Sequence, residues 1–244
     1  MAYNTNASSN NNSNNIVSRF ESFYEGWLVR QEHYLDELLS AQNSNCDSSA
    51  REEEMRELIS RVLSHYQHYF EEKARVASAD VFFLFSPTWF SPFERSFLWM
   101  AGFKPGMLIR LVEKSVKDLS EEQKQCLDRL RAETRVEEKQ LSDELARVQE
   151  SVAAPPLLEL IRRGRRLVDG EWRQAERVLE TLSSSMETLV EKADFLRIAT
   201  ARKAADLLNP IQTVRLLAAA TQLQLRVRTW GWEREAERRV GRTE

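Results

Sequence analysis

The stretch from His65 to Val112 constrains the fold more than any other, because it gathers large apolar groups that must all leave water. Eight of the eleven phenylalanines, the tryptophans Trp89 and Trp99 and three of the six prolines lie in it. Each large side chain contributes roughly 1.5–3 kcal/mol on burial, so the stretch reads as the plug of a core. Its punctuation is legible. Asp80 can cap a short turn through Val81–Phe85, which Pro87 stops. Ser91 as N-cap, Pro92 at the first helical position and Glu94 as the returning carboxylate form a helix start. That helix is expected to run to Ala101-Gly102, where glycine takes the left-handed closing conformation, and Pro105 opens the next.

The flanking segments carry helical apolar spacing. From Ile16 to Leu39, the residues Phe20, Phe23, Tyr24, Trp27, Leu28, Tyr34, Leu35 and Leu38 form one stripe, with Gln31 and His33 away from its middle. Ser49 with Glu52 suggests a second helix from about Ala50 to Val76. Ser120 with Gln123 opens a helix reaching Val152, and a partner runs from Glu171, capped by Asp169, to Leu208. Leu127, Leu130, Leu141 and Leu145 on the first, and Trp172, Leu179, Leu182, Met186 and Leu189 on the second, give narrow coiled-coil-like seams. Asn209-Pro210 with Gln212 starts the last helix, Ile211 to about Arg239. The expected fold is all-α, an up-and-down bundle of roughly seven to nine helices with long antiparallel coiled-coil-like members. Residues 1–15, an Asn/Ser run with nothing to bury, are expected to stay disordered, and 16–240 to form one domain.

Composition excludes several classes. A net charge of −3 supplies no basic field to draw the chain onto nucleic acid. Cys46 and Cys126, far apart and in different contexts, build neither a disulfide framework nor a metal cluster, as expected in a reducing compartment. No signal-peptide pattern opens the chain, and no apolar run approaches a membrane span, so nucleus or cytoplasm is the expected location. No phosphate-cradling glycine loop, nucleophile elbow, HExxH or CxxC occurs, and carboxylates alternate with Lys and Arg on helix faces. The expectation is therefore no enzyme.

The central run resembles the seed-dormancy (Delay of Germination) domain, the C-terminal part of TGA-type bZIP transcription factors and nearly all of the Delay-of-Germination-like proteins. The resemblance rests on His65-Tyr66, Lys73, Asp80-Val81-Phe82, Trp89, Pro92, Glu94-Arg95, Phe97-Leu98-Trp99, Gly102-Phe103, Leu108 and Leu111. Upstream Phe23, Trp27, Gln31 and Leu38 match in order. Downstream, Ala193-Asp194, Leu196-Arg197 and Arg215–Ala218 do so too. It implies a plant regulatory protein acting by protein contact in transcriptional or hormone-linked control, of seed dormancy, germination or defence, including abscisic acid signalling. Asp80, Trp89, Pro92, Glu94, Arg95, Trp99 and Gly102 then read as structural motif residues.

Partners follow from the same resemblance. The opening helix is implicated in contacting type 2C protein phosphatases, which makes Phe23, Trp27 and Gln31 candidate contacts, beside the reading of Phe23 and Trp27 as core. TGA-type domains self-associate, so a homodimer or pairing with TGA-type bZIP factors is implied. The basic region and zipper of those factors have no counterpart here, so no direct sequence-specific DNA binding is expected. Some members hold a fatty-acid chain in the helical core, and the alternative function is a sensor holding a lipid or haem. The family's founding member is a haem binder through late histidines; this sequence has none after His68, so no cofactor is predicted. His65 and His68, one turn apart, could face one metal but make an incomplete site. Two basic stretches remain. Arg162, Arg163, Arg165 and Arg166 form one. The other, Leu223–Arg239 with Arg226, Arg228, Trp230 and Trp232, has the Arg/Trp pattern of a calmodulin-target helix, against the plainer reading that its tryptophans dock it.

Overall fold

A computed structural model describes residues 5–43, 49–163 and 169–240. Among these residues the chain forms nine helices: α1 (Thr5–Asn43), α2 (Ser49–Asp80), α3 (Phe82–Phe85), α4 (Pro92–Arg95), α5 (Gly106–Ser115), α6 (Glu121–Ser151), α7 (Leu157–Arg163), α8 (Asp169–Asp206) and α9 (Pro210–Val240). The fold is all-α. Cys46, Gly164, Arg165 and Arg166 lie outside the described residues, as do the side chains of Arg163, Asp169 and Trp172. No helix among the described residues is long and apolar enough to cross a membrane.

Long neighbours run antiparallel, as their cross-links show. Glu37 pairs with Arg61 and Trp27 bonds the His65 carbonyl between α1 and α2. Glu144–Lys192 and Glu133–Lys203 join α6 to α8, and Gln31–Thr221 joins α1 to α9. The main core gathers Phe20, Tyr24 and Trp27 of α1, Val76 and Ala77 of α2, and Leu189, Val190, Ala193 and Leu196 of α8. Two smaller cores lie under α5 and α6 and between α1, α2 and α9.

Caps account for where the helices begin. Ser91 and Glu94 form a reciprocal capping box, with Ser91 N–H donating to Glu94 Oε2 at 2.8 Å and Glu94 N–H to Ser91 Oγ at 3.2 Å. Ser120 and Gln123 repeat it on α6. Asn209 and Gln212 do so on α9 through Asn209 Oδ1 at 2.9 Å. Asp80 Oδ1 accepts from the Phe82 N–H at 3.0 Å and opens α3.

Four expectations are corrected. α1 starts at Thr5, so the Asn/Ser run is helical from there; adding residues to an existing helix costs far less than nucleating one. The helix from Pro92 stops at Arg95, and the left-handed residues are Met100 (φ 45°) and Ala101 (φ 59°), not Gly102. Gln31 is fully buried rather than turned from the core. The seam of the α6–α8 pair also opens at one end, where Leu179 and Val152 are exposed.

Gly231 lies within α9 where that helix meets the start of α4. A Cβ there would sit 2.1 Å from Ser91 Oγ, the capping oxygen itself. Gly231→Ala gains about 1 kcal/mol of helix propensity but breaks a cap and lifts α9, for a net loss of about 1–2 kcal/mol. Urea unfolding measures it, and a variant more stable than wild type would show that Ser91 yields freely.

Candidate functional site

The central and downstream blocks behind the family resemblance meet at one buried charge centre. Lys73 on α2 and Asp194 and Arg197 on α8 come together beneath the turn 99–103. Lys73 Nζ donates to both Asp194 oxygens at 2.8 Å, and Arg197 Nη1 donates to Oδ1 at 2.5 Å. Lys73 is 2% exposed and Arg197 1%. Two cations thus share one carboxylate, away from solvent. Burial lowers the Lys73 pKa to about 8, against the raising effect of Asp194, with Arg197 lowering it further. Burial also lowers that of Arg197, which stays charged.

Arg197 is the peg of the turn. Its Nε donates to the Phe103 carbonyl at 2.7 Å, and Nη2 donates to the carbonyls of Trp99 and, at 2.9 Å, Met100. Its guanidinium lies 5.4 Å from the Trp99 ring centroid and 5.9 Å from that of Phe103. Gly102 is glycine because of this approach: a Cβ would fall 2.7 Å from Arg197 Cζ. Trp99 Nε1–H donates to Ser142 Oγ on α6, and Glu138 of α6 accepts from the Gly106 N–H at 2.7 Å at the start of α5.

A second buried set joins α1, α2 and α9. Gln31 Nε2 donates to Thr221 Oγ1 at 3.0 Å and to the Tyr66 hydroxyl. Trp27 donates to the His65 carbonyl at 3.0 Å and stacks face to face on its imidazole at 4.5 Å. Trp27 and Gln31, at 1% and 0% exposure, are core residues that an outside partner does not touch in this conformation. Phe23 is half-buried, 4.9 Å edge-on from the His68 ring.

His65 is buried with Nε2 unpartnered, whereas His68 is half-exposed beside Glu72. No group of three or more His, Cys, Asp or Glu that could hold a metal ion occurs among the described residues. Burial, with help from Arg30 and His68, lowers the His65 pKa from 6.5 to about 4. Between those values the unfolded chain binds a proton that the folded chain refuses. The stability contribution is therefore complete above about pH 6.5 and lost as pH falls toward 4, a loss on the order of 3 kcal/mol. His65→Phe should flatten acid unfolding in this window; an unchanged slope would assign the titration to another group.

The remaining motif residues build the α4 corner. Trp89 packs on Phe20 at 4.6 Å, Pro92 is the first residue of α4 and Arg95 the last. Arg228 Nη1 donates to the Trp89 carbonyl at 3.2 Å and lies 3.3 Å from Glu94 Oε1, while its guanidinium stacks on Tyr24 and Trp232. Arg228 is thus part of the scaffold, and Trp230 and Trp232 are exposed rather than docked. Arg226 lies over Trp230 at 5.3 Å. Arg162 is exposed.

Two grooves of about 640 and 580 Å³ open on the surface. One lies between α1 and α2 and is lined by His33, Asp36, Arg51 and Met55 among others. The second is lined by Leu39, Lys117, Arg215 and Gln222. Neither is lined by Trp89 or Trp99, which pack against the main core. Sequence reasoning missed the role of Lys73, Asp194, Arg197 and Thr221, although the first three stood among the matched residues.

Fold and site together define an all-helical bundle locked by buried charge. The comparisons give the family. A family model described as seed dormancy control matches residues 34–114. Protein RESPONSE TO ABA AND SALT 1 of Arabidopsis thaliana is 35% identical over 88% of this chain and 96% of its own length. Protein ZW2 of the same plant is 38% identical over 87% and 96%. Transcription factor TGA2.3 of Oryza sativa subsp. japonica is 28% identical over 88% of this chain and 64% of that factor. The chain belongs to the seed dormancy control family. None of these names is that of an enzyme.

Proposed function

We propose that this chain is a non-enzymatic plant regulatory protein that works by contacting other proteins in hormone-linked or transcriptional control. Type 2C phosphatases, TGA-type bZIP factors and calmodulin are the candidate partners. One observation carries the reading: Lys73 and Arg197, charged groups of the kind a catalyst would present to substrate, are buried and engaged with the half-buried Asp194 and with the turn. The abscisic acid and salt response in one relative's name supports a hormone-linked setting, and the transcription factors support a transcriptional one. The resemblance to a calmodulin target divides in two on α9, with Gly231 and Arg228 held inward and Leu223, Arg226 and Trp230 outward.

Immobilised full-length chain incubated with plant extract tests this. Recovery of a type 2C phosphatase, a TGA-type factor or calmodulin, identified by mass spectrometry, is expected. Recovery of none, or turnover of a metabolite by the purified protein, would overturn the reading.

A further inference from the structure

We infer that the outward face of α9 and the adjoining end of α4 form a docking surface for an acidic amphipathic helix. This rests on the reading that the protein works by protein contact, and it names the chemistry of one partner. Leu223, Arg226, Trp230 and Arg234 follow one another at spacings of three, four and four, so they share a stripe along α9. Leu223 (40%) and Trp230 (42%) are exposed, as is Phe97 (49%) across the junction. Arg226 lies over the Trp230 ring at 5.3 Å, and Arg234 over the Phe93 ring at 5.5 Å. Phe93 meets Phe97 edge-on at 5.0 Å, which continues the stripe onto the α4 corner.

The two arginines say what the face would take. A guanidinium held over a ring by a cation–π contact uses none of its N–H groups on a carboxylate, so a docking acid can still accept two of them. Among the described residues neither arginine forms an ion pair, although Glu237 stands one turn beyond Arg234 and Glu233 lies beside it. The same face carries apolar side chains at the spacing by which one helix packs on another. A helix with aliphatic or aromatic residues along one side and carboxylates flanking them matches both features. A nucleic acid strand would stack on the rings too, so the test sets a DNA strand against the peptide.

The probe is a labelled sixteen-residue synthetic peptide with Leu and Phe at i, i+3, i+4 and i+7 and Glu between them. A copy with Gln for every Glu, and a single-stranded fifteen-nucleotide DNA, serve as competitors. Fluorescence anisotropy with the full chain should show the Glu peptide bound at least about tenfold more tightly than the Gln peptide, and more weakly at higher salt. Arg226→Glu with Arg234→Glu, and separately Trp230→Ala, should each weaken it about tenfold or more with the thermal midpoint unchanged. No binding by the folded wild type, equal affinity for Glu and Gln peptides, full affinity in the charge-reversed variant, or preference for the DNA would each overturn the inference. Extract capture separates the two readings. If wild type and the charge-reversed variant recover the same phosphatase or bZIP factor, this surface is wrong and the adaptor role stands. If neither recovers one, the adaptor role fails while the peptide titration still reports on the surface.

Discussion

Asp194→Asn should lower the unfolding free energy by about 3–5 kcal/mol, because it leaves Lys73 and Arg197 buried with no anion between them. Lys73→Met, at the same contact, should cost less than about 1 kcal/mol, since Asp194 keeps Arg197 as its counterion. Burial first and Arg197 second lower the Lys73 pKa against the raising effect of Asp194, in keeping with a small cost for removing this cation. Combining the two substitutions should recover part of the Asp194→Asn loss, as only one cation then remains unpaired. Urea unfolding followed by circular dichroism gives all three values. Equal losses from the two single variants would show that the carboxylate does not hold both cations. The pH dependence has a defined sign. Between about 8 and 10.5 the unfolded chain holds the Lys73 proton and the folded chain has released it, so this group adds stability as pH rises through that window. Tyrosines titrate in the same range, so the difference between wild type and Lys73→Met isolates the effect, and a difference that does not vary with pH would refute it.

The second large effect is expected at Gly102. Its Cα–H faces a guanidinium that cannot retreat, since Arg197 is held by the carbonyls of Trp99, Met100 and Phe103 and by Asp194. Gly102→Ala places a methyl 2.7 Å from Cζ and 2.8 Å from Nε, so the turn must move as a unit. The turn then loses the Arg197 bonds to its carbonyls that hold Met100 and Ala101 at positive φ, a conformation that costs on the order of 1 kcal/mol or more per residue. A loss of about 2–4 kcal/mol is expected, with a red shift of Trp99 emission as its ring is wetted. Arg197→Lys in the same chain, lacking the planar fork, should make the added methyl markedly less costly. Wild-type stability in Gly102→Ala would mean that the guanidinium withdraws freely.

Helix starts were legible because their chemistry is local. Ser91 with Glu94, Ser120 with Gln123 and Asn209 with Gln212 each complete a cap within three residues, and the apolar stripe of α1 needed only periodicity. The turn after Arg95 was not legible, because the group that bends it, Arg197, stands 94 residues from Phe103. Gln31 failed for the same reason: a polar residue reads as surface until Tyr66 and Thr221 arrive from other helices. The matched blocks pointed to Lys73, Asp194 and Arg197 without saying that they touch. The stripe of α9 was half seen, since Arg226 and Trp230 stood out by residue type while Arg228 beside them turned inward to Glu94.

The long reach of these bonds has a consequence on the ribosome. Arg197 must emerge before the turn at Met100 can close, and Thr221 before Gln31 finds its partner 190 residues back. At about 5–20 residues per second, the phenylalanine-rich middle waits several seconds for the helices that cover it. A nascent chain of this kind should engage holding chaperones until its last helix is out, and truncation before α9 should yield aggregate instead of a smaller folded domain.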